Sequence, residues 1–109
     1  MSEHTQLRVI VPCYNPPEGW ETALAGRFLD FCHQMPLPPE AIGLTVVNDG
    51  SARNATEAAF SRLRSLIQRV QIVDYGENRG KGYALRQGVS ASSADCYLVT
   101  DADFPYTLE

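Results

Sequence analysis

The sequence predicts an α/β fold built on a parallel sheet, and two observations support this prediction. Short, continuously apolar segments alternate with longer segments whose apolar residues recur at helical spacing. Strands that are apolar at every position are typical of a parallel sheet with helices on both faces. The chain has 109 residues, of which 44% are hydrophobic, so it can bury a core and form one domain at most.

The first half of the chain contains two predicted strands and the helix between them. The apolar run 7–11 predicts the first strand, because it is β-branched and ends in turn-forming residues. Apolar residues at helical spacing predict a helix over residues 20–35, followed by several prolines. A second apolar strand is expected over residues 42–47. The second helix is expected to begin at Asn54, which is a suitable N-cap residue.

The second half of the chain continues the alternation. Residues 70–73 predict a third strand, and the glycine-rich segment 76–82 follows it as a loop. A third helix is expected over residues 83–90. Residues 96–100 form an apolar run that predicts the fourth strand.

This alternation predicts a Rossmann-like, three-layer α/β/α arrangement with the parallel strands in the order 3-2-1-4. In such a sheet the direction of winding reverses between the first and fourth strands. Ligands bind at that point, outside the carboxyl ends of the strands. The polar, turn-rich segments that follow the four strands therefore meet at one edge of the sheet, which is the candidate site.

Two aspartates, Asp101 and Asp103, follow the fourth strand and are separated by one alanine. Side chains two positions apart in a strand point the same way, so the two carboxylates would lie side by side. At about 5 Å and an effective dielectric near 20, they repel by roughly 3 kcal/mol. A divalent cation that also binds phosphate oxygens would relieve this repulsion. The alternative is a solvated strand end, where aspartate is common.

Charge and cysteine content restrict the partners and the compartment. A net charge of −4 and a pI near 5.1 argue against a nucleic-acid partner. The three cysteines lack C-x-x-C spacing and cannot all pair, which is typical of a reducing compartment. Because the first residues lack the apolar stretch of a signal peptide, we expect a cytoplasmic domain.

The glycine-rich segment fits neither of two familiar phosphate-binding motifs. A P-loop needs G-x-x-x-x-G-K-[ST] after the first strand, whereas Gly76 and Gly80 are one residue too close and follow the third. A dinucleotide-binding fingerprint needs G-x-G-x-x-G after the first strand, where this chain has Pro12-Cys13-Tyr14-Asn15-Pro16. A sugar nucleotidyltransferase-like domain would also need a glycine-rich first loop, so that class is less favoured.

Four segments, taken together, resemble family 2 glycosyltransferases. They are Val11-Pro12-Cys13-Tyr14-Asn15, Val47-Asn48-Asp49-Gly50-Ser51, Asn78-Arg79-Gly80-Lys81-Gly82 and Asp101-Ala102-Asp103. The resemblance covers nearly the whole chain. It implies a GT-A fold, a UDP- or GDP-linked sugar as donor, and Mg²⁺ or Mn²⁺ as the metal. The last two segments are closer to the polyprenyl-phosphate branch, similar to dolichyl-phosphate mannose synthase, which implies an inverting transfer to a lipid phosphate or a saccharide.

The same resemblance implies nucleotide-binding roles for residues after the first two strands. Pro12 and Tyr14 would line the base, although a tyrosine can also simply pack at the rim. Asn15 would lie in the nucleotide site, and Asp49 would accept a hydrogen bond from a ring N–H of the base. An aspartate that only forms the turn is the alternative for Asp49. Glu18 either reaches the nucleotide or is an acid favoured at a helix N-terminus.

The remaining roles implied by the resemblance concern the diphosphate and the metal. Arg79 and Lys81 would offset the diphosphate charge, helped by backbone N–H groups of the loop and by the helix N-terminus. A solvated basic loop is the alternative. Asp101 would lie toward the ribose or the metal, and Asp103 would bind the metal directly.

The resemblance also implies that part of the enzyme is missing from these 109 residues. In the family the catalytic base and the acceptor site belong to the second half, so we expect the base beyond Glu109. Residues 1–109 would then be the nucleotide-sugar-binding part of a GT-A domain, truncated after the Asp-x-Asp motif, in a protein that acts at the cytoplasmic face of a membrane. A non-catalytic nucleotide-diphosphate-binding module is the alternative. The edge of the fourth strand, left unpaired, would favour self-association.

Overall fold

The computed structural model describes residues 5–100. Strands and helices alternate along this part of the chain, as the sequence predicts. The elements are β1 (Leu7–Cys13), α1 (Trp20–Gln34), a 3₁₀ turn (Pro39–Ala41), β2 (Ile42–Asp49), α2 (Glu57–Leu66), β3 (Val70–Tyr75), α3 (Lys81–Ser90) and β4 (Cys96–Val99).

The four strands form one parallel sheet in the order β3-β2-β1-β4, which confirms the predicted order. The register aligns apolar residues across the sheet. Val9 of β1 lies opposite Leu44 of β2 on one side and Leu98 of β4 on the other. Leu44 in turn lies opposite Val70 of β3. Because all strands run the same way, their carboxyl ends meet at a single edge.

Helices cover both faces of the sheet, so the three-layer arrangement is also confirmed. The larger core lies beneath α1 and α2, where Phe28, Phe60 and Leu63 pack on alternate residues of β1 and β2. The smaller core lies beneath α3, where Ala84 packs against Ile10 and Val47. Successive residues of one strand point to opposite faces, which is why β1, β2 and β3 contribute to both cores.

The prediction that Asn54 caps the second helix is wrong. The N-cap of α2 is Thr56, whose side-chain oxygen accepts a hydrogen bond from the backbone N–H of Ala59. Asn54 instead adopts a left-handed backbone conformation, with φ 66°. Its amide donates to the carbonyl of Pro16 at 2.9 Å, and its own carbonyl accepts from the indole N–H of Trp20 at 2.8 Å. Asn54 therefore joins two loops.

Several element ends also differ from the predictions. The strands β1, β2 and β3 each continue two residues further than predicted, β1 into Pro12 and Cys13 and the other two into polar residues. The strand β4 ends one residue earlier than predicted, at Val99. The helix α3 begins at Lys81, two residues before the predicted start. At the ends of β2 and β3 the polar side chains pair with each other, so they do not interrupt the backbone ladder as the prediction assumed.

The strand β4 pairs with β1, and the described residues contain no strand on its other side. Its side chains are mostly exposed, including those of Tyr97 and Val99. The aspartates predicted to bind metal, Asp101 and Asp103, lie outside the described residues. Between residues 5 and 100, every helix is too short or too polar to cross a bilayer.

Candidate functional site

Three loops meet at the carboxyl edge of the sheet. Residues 14–19 follow β1, residues 50–56 follow β2, and residues 76–80 follow β3. This is the edge on which the sequence places the candidate site. Ligands of open parallel sheets bind there because the strand order reverses between β1 and β4.

The first two loops are joined by Asn15. Its side-chain oxygen accepts hydrogen bonds from the backbone N–H groups of Ala52 at 2.7 Å and Arg53 at 3.1 Å. Its backbone N–H donates to the hydroxyl of Ser51 at 2.9 Å. Asn15 has a φ of 45°, a left-handed conformation that asparagine tolerates better than most residues. Within residues 5–100, Asn15 therefore holds the first and second loops together.

The second and third loops are joined by Asp49, at the end of β2. One carboxylate oxygen accepts from the hydroxyl of Tyr75 at 2.7 Å and the N–H of Arg79 at 2.9 Å. The other accepts from the side-chain amide of Asn78 at 2.8 Å and the N–H of Gly80 at 3.0 Å. Asp49 is only 4% exposed. A buried carboxylate with four donors is well satisfied and can remain ionised.

These contacts determine the ionisation states of Asp49 and Tyr75. Burial alone would raise the pKa of Asp49, but the hydrogen bonds from Arg79, Tyr75 and Gly80 outweigh it and hold that pKa below its usual range. Burial and the adjacent carboxylate raise the pKa of Tyr75. Asp49 is thus a carboxylate and Tyr75 a neutral phenol near neutral pH, which is the pairing that the hydrogen bond requires.

Gly50 allows the third loop to lie directly on the end of β2. It has a φ of 68°, and a Cβ atom added there would lie 2.2 Å from the backbone N of Asn78. Only glycine avoids both the strained conformation and this collision. The close approach brings the backbone of residues 78–80 within reach of the Asp49 carboxylate.

Asn48 joins β2 to β3 on the face of the sheet opposite to that of Asp49. Its amide N–H donates to a carboxylate oxygen of Asp74 at 2.9 Å, and its oxygen accepts from the N–H of Ser51 at 3.2 Å. Asn48 is buried. The pairing explains why an amide suits this position, since a second carboxylate would face Asp74. The sequence gives no direct sign of this contact between two neighbouring strands.

Arg79 lies in the loop after β3, Lys81 is the first residue of α3, and both are exposed. The guanidinium of Arg79 lies 5.3 Å from the ring centre of Tyr83 and pairs with Glu77 at 2.9 Å. One part of the expectation needs correction. The backbone N–H groups of Arg79 and Gly80 donate to Asp49, so these two do not face outward to bind a diphosphate.

The other nucleotide-binding candidates are placed by β1 and the loop after it. Pro12 is partly buried in β1, opposite Val47. Tyr14 is 55% exposed at the beginning of the loop, so its ring is accessible to a ligand. Glu18 is exposed just before α1. Cys13 beside them is buried, and burial raises the pKa of its thiol to about 12, which makes it a poor nucleophile.

The described residues do not contain a complete metal site, since no three of their His, Cys, Asp or Glu side chains cluster as ligands would. They do include Thr100, the residue before the predicted aspartates. The N–H of Thr100 donates to the carbonyl of Ile10 at 3.0 Å, so the chain reaches residue 100 beside β1, at the switch point. The hydroxyl of Thr100 is buried and has no hydrogen-bond partner within residues 5–100.

Three residues that make contacts at this edge were not predicted as site residues from the sequence. They are Asn48, Tyr75 and Asn78. Each makes its contact with a residue at least three positions away and usually on another strand or loop. Their signal in the sequence is a polar residue at or just after the end of an apolar strand. That signal predicts the edge on which a residue lies but not its partner.

Comparison with known proteins identifies the family of this chain. The model of the family described as Glycosyl transferase family 2 matches residues 8–108. The chain is 33% identical over 104 residues to an uncharacterized glycosyltransferase, YkcC, of Bacillus subtilis, covering 94% of this chain and 30% of that protein. It is 33% identical over 103 residues to the dolichyl-phosphate beta-glucosyltransferase of Homo sapiens, covering 90% of this chain and 31% of that protein. The chain thus spans about 30% of the length of these curated relatives.

Solved structures share the fold. A mannosyltransferase from Pyrobaculum calidifontis, solved with GDP-Man and Mn²⁺, superposes with a TM-score of 0.70 at 23% identity, over 94% of this chain and 28% of that one. Staphylococcus aureus TarS 1-349, solved with UDP-GlcNAc, gives a TM-score of 0.69 at 21% identity, over 91% of this chain and 27% of that one. The four-stranded sheet is therefore part of a GT-A fold, and the chain belongs to glycosyl transferase family 2.

Proposed function

We propose that this chain supplies the donor- and metal-binding part of an enzyme that transfers a sugar from a UDP- or GDP-linked donor. The observation that carries the proposal is the hydrogen-bonded edge at which Asn15 and Asp49 join the three loops after β1, β2 and β3. The edge lies at the switch point of the sheet. Membership of family 2 supports the same activity, and two structural neighbours hold nucleotide sugars.

The exposed groups at this edge would each contact a different part of the donor. Tyr14, with its accessible ring, and Pro12 would line the nucleobase. Arg79 and Lys81 would face the diphosphate, near the N-terminus of α3, which has no side-chain cap. Glu18 would approach the nucleotide from the start of α1.

Charge near the glycine-rich loop supports a requirement for metal. Arg79 and Lys81 bring two positive charges, while Asp49 and Glu77 bring two negative ones. Together these four side chains carry no net positive charge to offset a diphosphate. We propose that Mg²⁺ or Mn²⁺, held by Asp103 with Asp101 beside it, provides the missing charge. A structural neighbour that contains Mn²⁺ supports this choice of metal.

Titration calorimetry tests the proposal. UDP and GDP are titrated into the chain in the presence of Mn²⁺, and again after addition of EDTA. We expect at least one nucleotide to bind with Mn²⁺ and to lose most of its affinity with EDTA. The Asp103→Ala variant should bind equally weakly in both conditions, whereas Asp30→Ala, an exposed change on α1, should behave like the wild type. Binding that EDTA does not weaken would exclude the metal role.

Transfer itself also needs a base to deprotonate the acceptor and a site that binds the acceptor. We propose that the base that deprotonates the acceptor, and the site for a lipid phosphate or saccharide, belong to a further part of the protein, and that the transfer is inverting. The chain spans about 30% of its curated relatives, which supports this division. Incubation of the chain with UDP- and GDP-linked sugars and a polyprenyl phosphate should give no glycosylated product. Measurable product would refute the division.

We also propose a cytoplasmic location and self-association through β4. The first is supported by Cys13, Cys32 and Cys96, all of which are free thiols, as expected in a reducing compartment. Fractionation of cells that express the gene should recover the protein in the cytosol or at the cytoplasmic face of a membrane. Self-association is supported by the exposed edge of β4.

A further inference from the structure

Asn54, in the loop after β2, binds the loop after β1 at two points. Its side-chain amide donates to the carbonyl of Pro16 at 2.9 Å, and its backbone carbonyl accepts from the indole N–H of Trp20 at 2.8 Å. Asn54 makes both contacts in a left-handed conformation, with φ 66°, which asparagine and glycine tolerate better than most residues. One residue of the second loop therefore holds the first loop near its start and at the residue that follows it.

Trp20 connects this contact to the larger core. It is only 3% exposed, and its ring packs edge-to-face against Phe60 of α2, with ring centres 6.1 Å apart. A buried indole N–H needs an acceptor, and the carbonyl of Asn54 is that acceptor. The end of the first loop is therefore fixed on α2 as well as on the second loop.

The loop residues between these two contacts form a closed turn. The backbone N–H of Trp20 donates to the carbonyl of Pro17 at 3.2 Å. Gly19 has φ 81° and ψ 7°, the values that a type II turn needs at its third residue and that favour glycine there. Glu18 is the second residue of this turn, and its side chain is exposed. The turn therefore presents Glu18 from a fixed backbone.

The start of the first loop is also held by the second loop. The backbone N–H of Asn15 donates to the hydroxyl of Ser51 at 2.9 Å, directly after the exposed Tyr14. Tyr14 and Glu18 are the two exposed side chains of this loop that we propose to contact the nucleotide. Both thus lie on a segment that the second loop binds at residues 15, 16 and 20.

We propose that Asn54 and Trp20 are positioning residues, which hold the loop after β1 so that Tyr14 and Glu18 face the nucleoside part of the donor. This inference rests on the proposed function, which assigns those two side chains to the nucleotide. The cations assigned to the diphosphate follow β3 and lie outside this loop. A loosened first loop should therefore weaken the binding of a nucleotide and spare the binding of inorganic diphosphate.

Titration calorimetry with Mn²⁺ compares UDP, GDP and inorganic diphosphate in the wild type and three variants. Asn54→Gly keeps the left-handed backbone and its carbonyl but removes the amide that binds Pro16. Trp20→Phe removes the indole N–H and keeps an aromatic ring. Gln71→Ala is the matched control, because it also removes a hydrogen bond from a side-chain amide to a backbone carbonyl, but near the amino end of β3.

The two loop variants should separate the ligands. We expect Asn54→Gly and Trp20→Phe each to weaken the nucleotides that the wild type binds by about threefold or more, and to leave inorganic diphosphate within about twofold. Gln71→Ala should change neither. Unchanged nucleotide binding in both loop variants would overturn the proposal. An equal loss for nucleotides and inorganic diphosphate, or an equal loss of nucleotide binding in Gln71→Ala, would also overturn it.

A second measurement needs no ligand. Trp20 is the only tryptophan of the chain, so a single indole N–H signal reports on the contact with Asn54. In Asn54→Gly, the indole and backbone N–H groups of Trp20 should exchange at least about threefold faster, while the buried β1 and β2 amides keep their protection, which also shows that the variant is folded. Unchanged exchange at Trp20 would overturn the proposal. If the wild type binds none of the three ligands, the proposed function fails, and the exchange measurement still decides whether Asn54 holds the loop.

Discussion

At the scale of single residues, the contact between Asn48 and Asp74 accounts for an amide at the end of β2. The amide of Asn48 donates to Asp74 and its oxygen accepts from Ser51, so both ends of the side chain are used. A carboxylate at position 48 would keep the second contact and lose the first. It would also place two negative charges in hydrogen-bond contact beside a buried strand.

This contact predicts that Asn48→Asp destabilises the fold at neutral pH, by about 1–3 kcal/mol. Asp74→Asn alone should cost less than about 1 kcal/mol, because an amide at position 74 can still accept from Asn48. The double variant should recover most of the loss, with the amide now donating from β3 to β2. Chemical denaturation of the wild type, both single variants and the double variant gives the coupling energy. Strictly additive effects would mean that the two side chains do not interact.

The ionisation of Asp49 predicts a second residue-scale effect, on the pH dependence of stability. Its pKa is lower in the folded chain than in the unfolded one, so ionisation of Asp49 stabilises the fold above the unfolded pKa of about 3.9. That stabilisation is lost as the pH falls through the folded pKa. The free energy of unfolding of the wild type should therefore exceed that of Asp49→Asn at pH 7, by a margin that narrows below about pH 4. A margin that stays constant between pH 7 and pH 3 would contradict this assignment.

At the scale of elements, the packing of α3 on the sheet depends on a glycine within the helix. A Cβ atom at Gly88 would lie 2.8 Å from Ile10 Cγ2 and 3.0 Å from Val47 Cγ2. Both of those side chains belong to the small core beneath α3, where packing leaves little room to move. Gly26 in α1 is the matched case, since a Cβ atom there would meet nothing within 4 Å.

The two glycines should therefore respond to alanine in opposite directions. Gly88→Ala should destabilise the fold by about 1–3 kcal/mol through overpacking, even though alanine favours the helix. Gly26→Ala should stabilise it by up to about 1 kcal/mol, because it gains helix propensity without a collision. Thermal or chemical denaturation measures both changes. A stabilising Gly88→Ala would show that α3 moves away from the sheet at little cost.

The elements and the sheet order could be predicted from the sequence, but the contacts of the loops could not. Apolar periodicity is local, and it was enough to predict each strand and helix to within about two residues at most ends. The partners of Asp49 lie 26 to 31 positions away, and periodicity carries no information about them. Asn54 illustrates the same limit. Asparagine is a suitable helix N-cap, but here its side-chain amide donates to the carbonyl of Pro16 in the first loop.

At the scale of the whole molecule, β4 forms one edge of the sheet that residues 5–100 build. Within residues 5–100, β4 pairs with β1 on one side only. The strand contains no proline or lysine, the residues that commonly prevent edge-to-edge pairing. Its exposed side chains include the apolar Val99, and an exposed apolar edge strand favours pairing with another copy.

We therefore expect the average mass of this chain, measured by light scattering, to rise with concentration. Val99→Lys should reduce the rise, because lysine on an edge strand opposes pairing. Val89→Lys on α3 is the matched control, since the two valines are similarly exposed, at 37% and 40%, and only Val99 lies on the edge strand. If both variants reduced the rise equally, general surface hydrophobicity and not the strand edge would be the cause. A monomer at all concentrations, with the β4 amides well protected from exchange, would show that this edge does not pair.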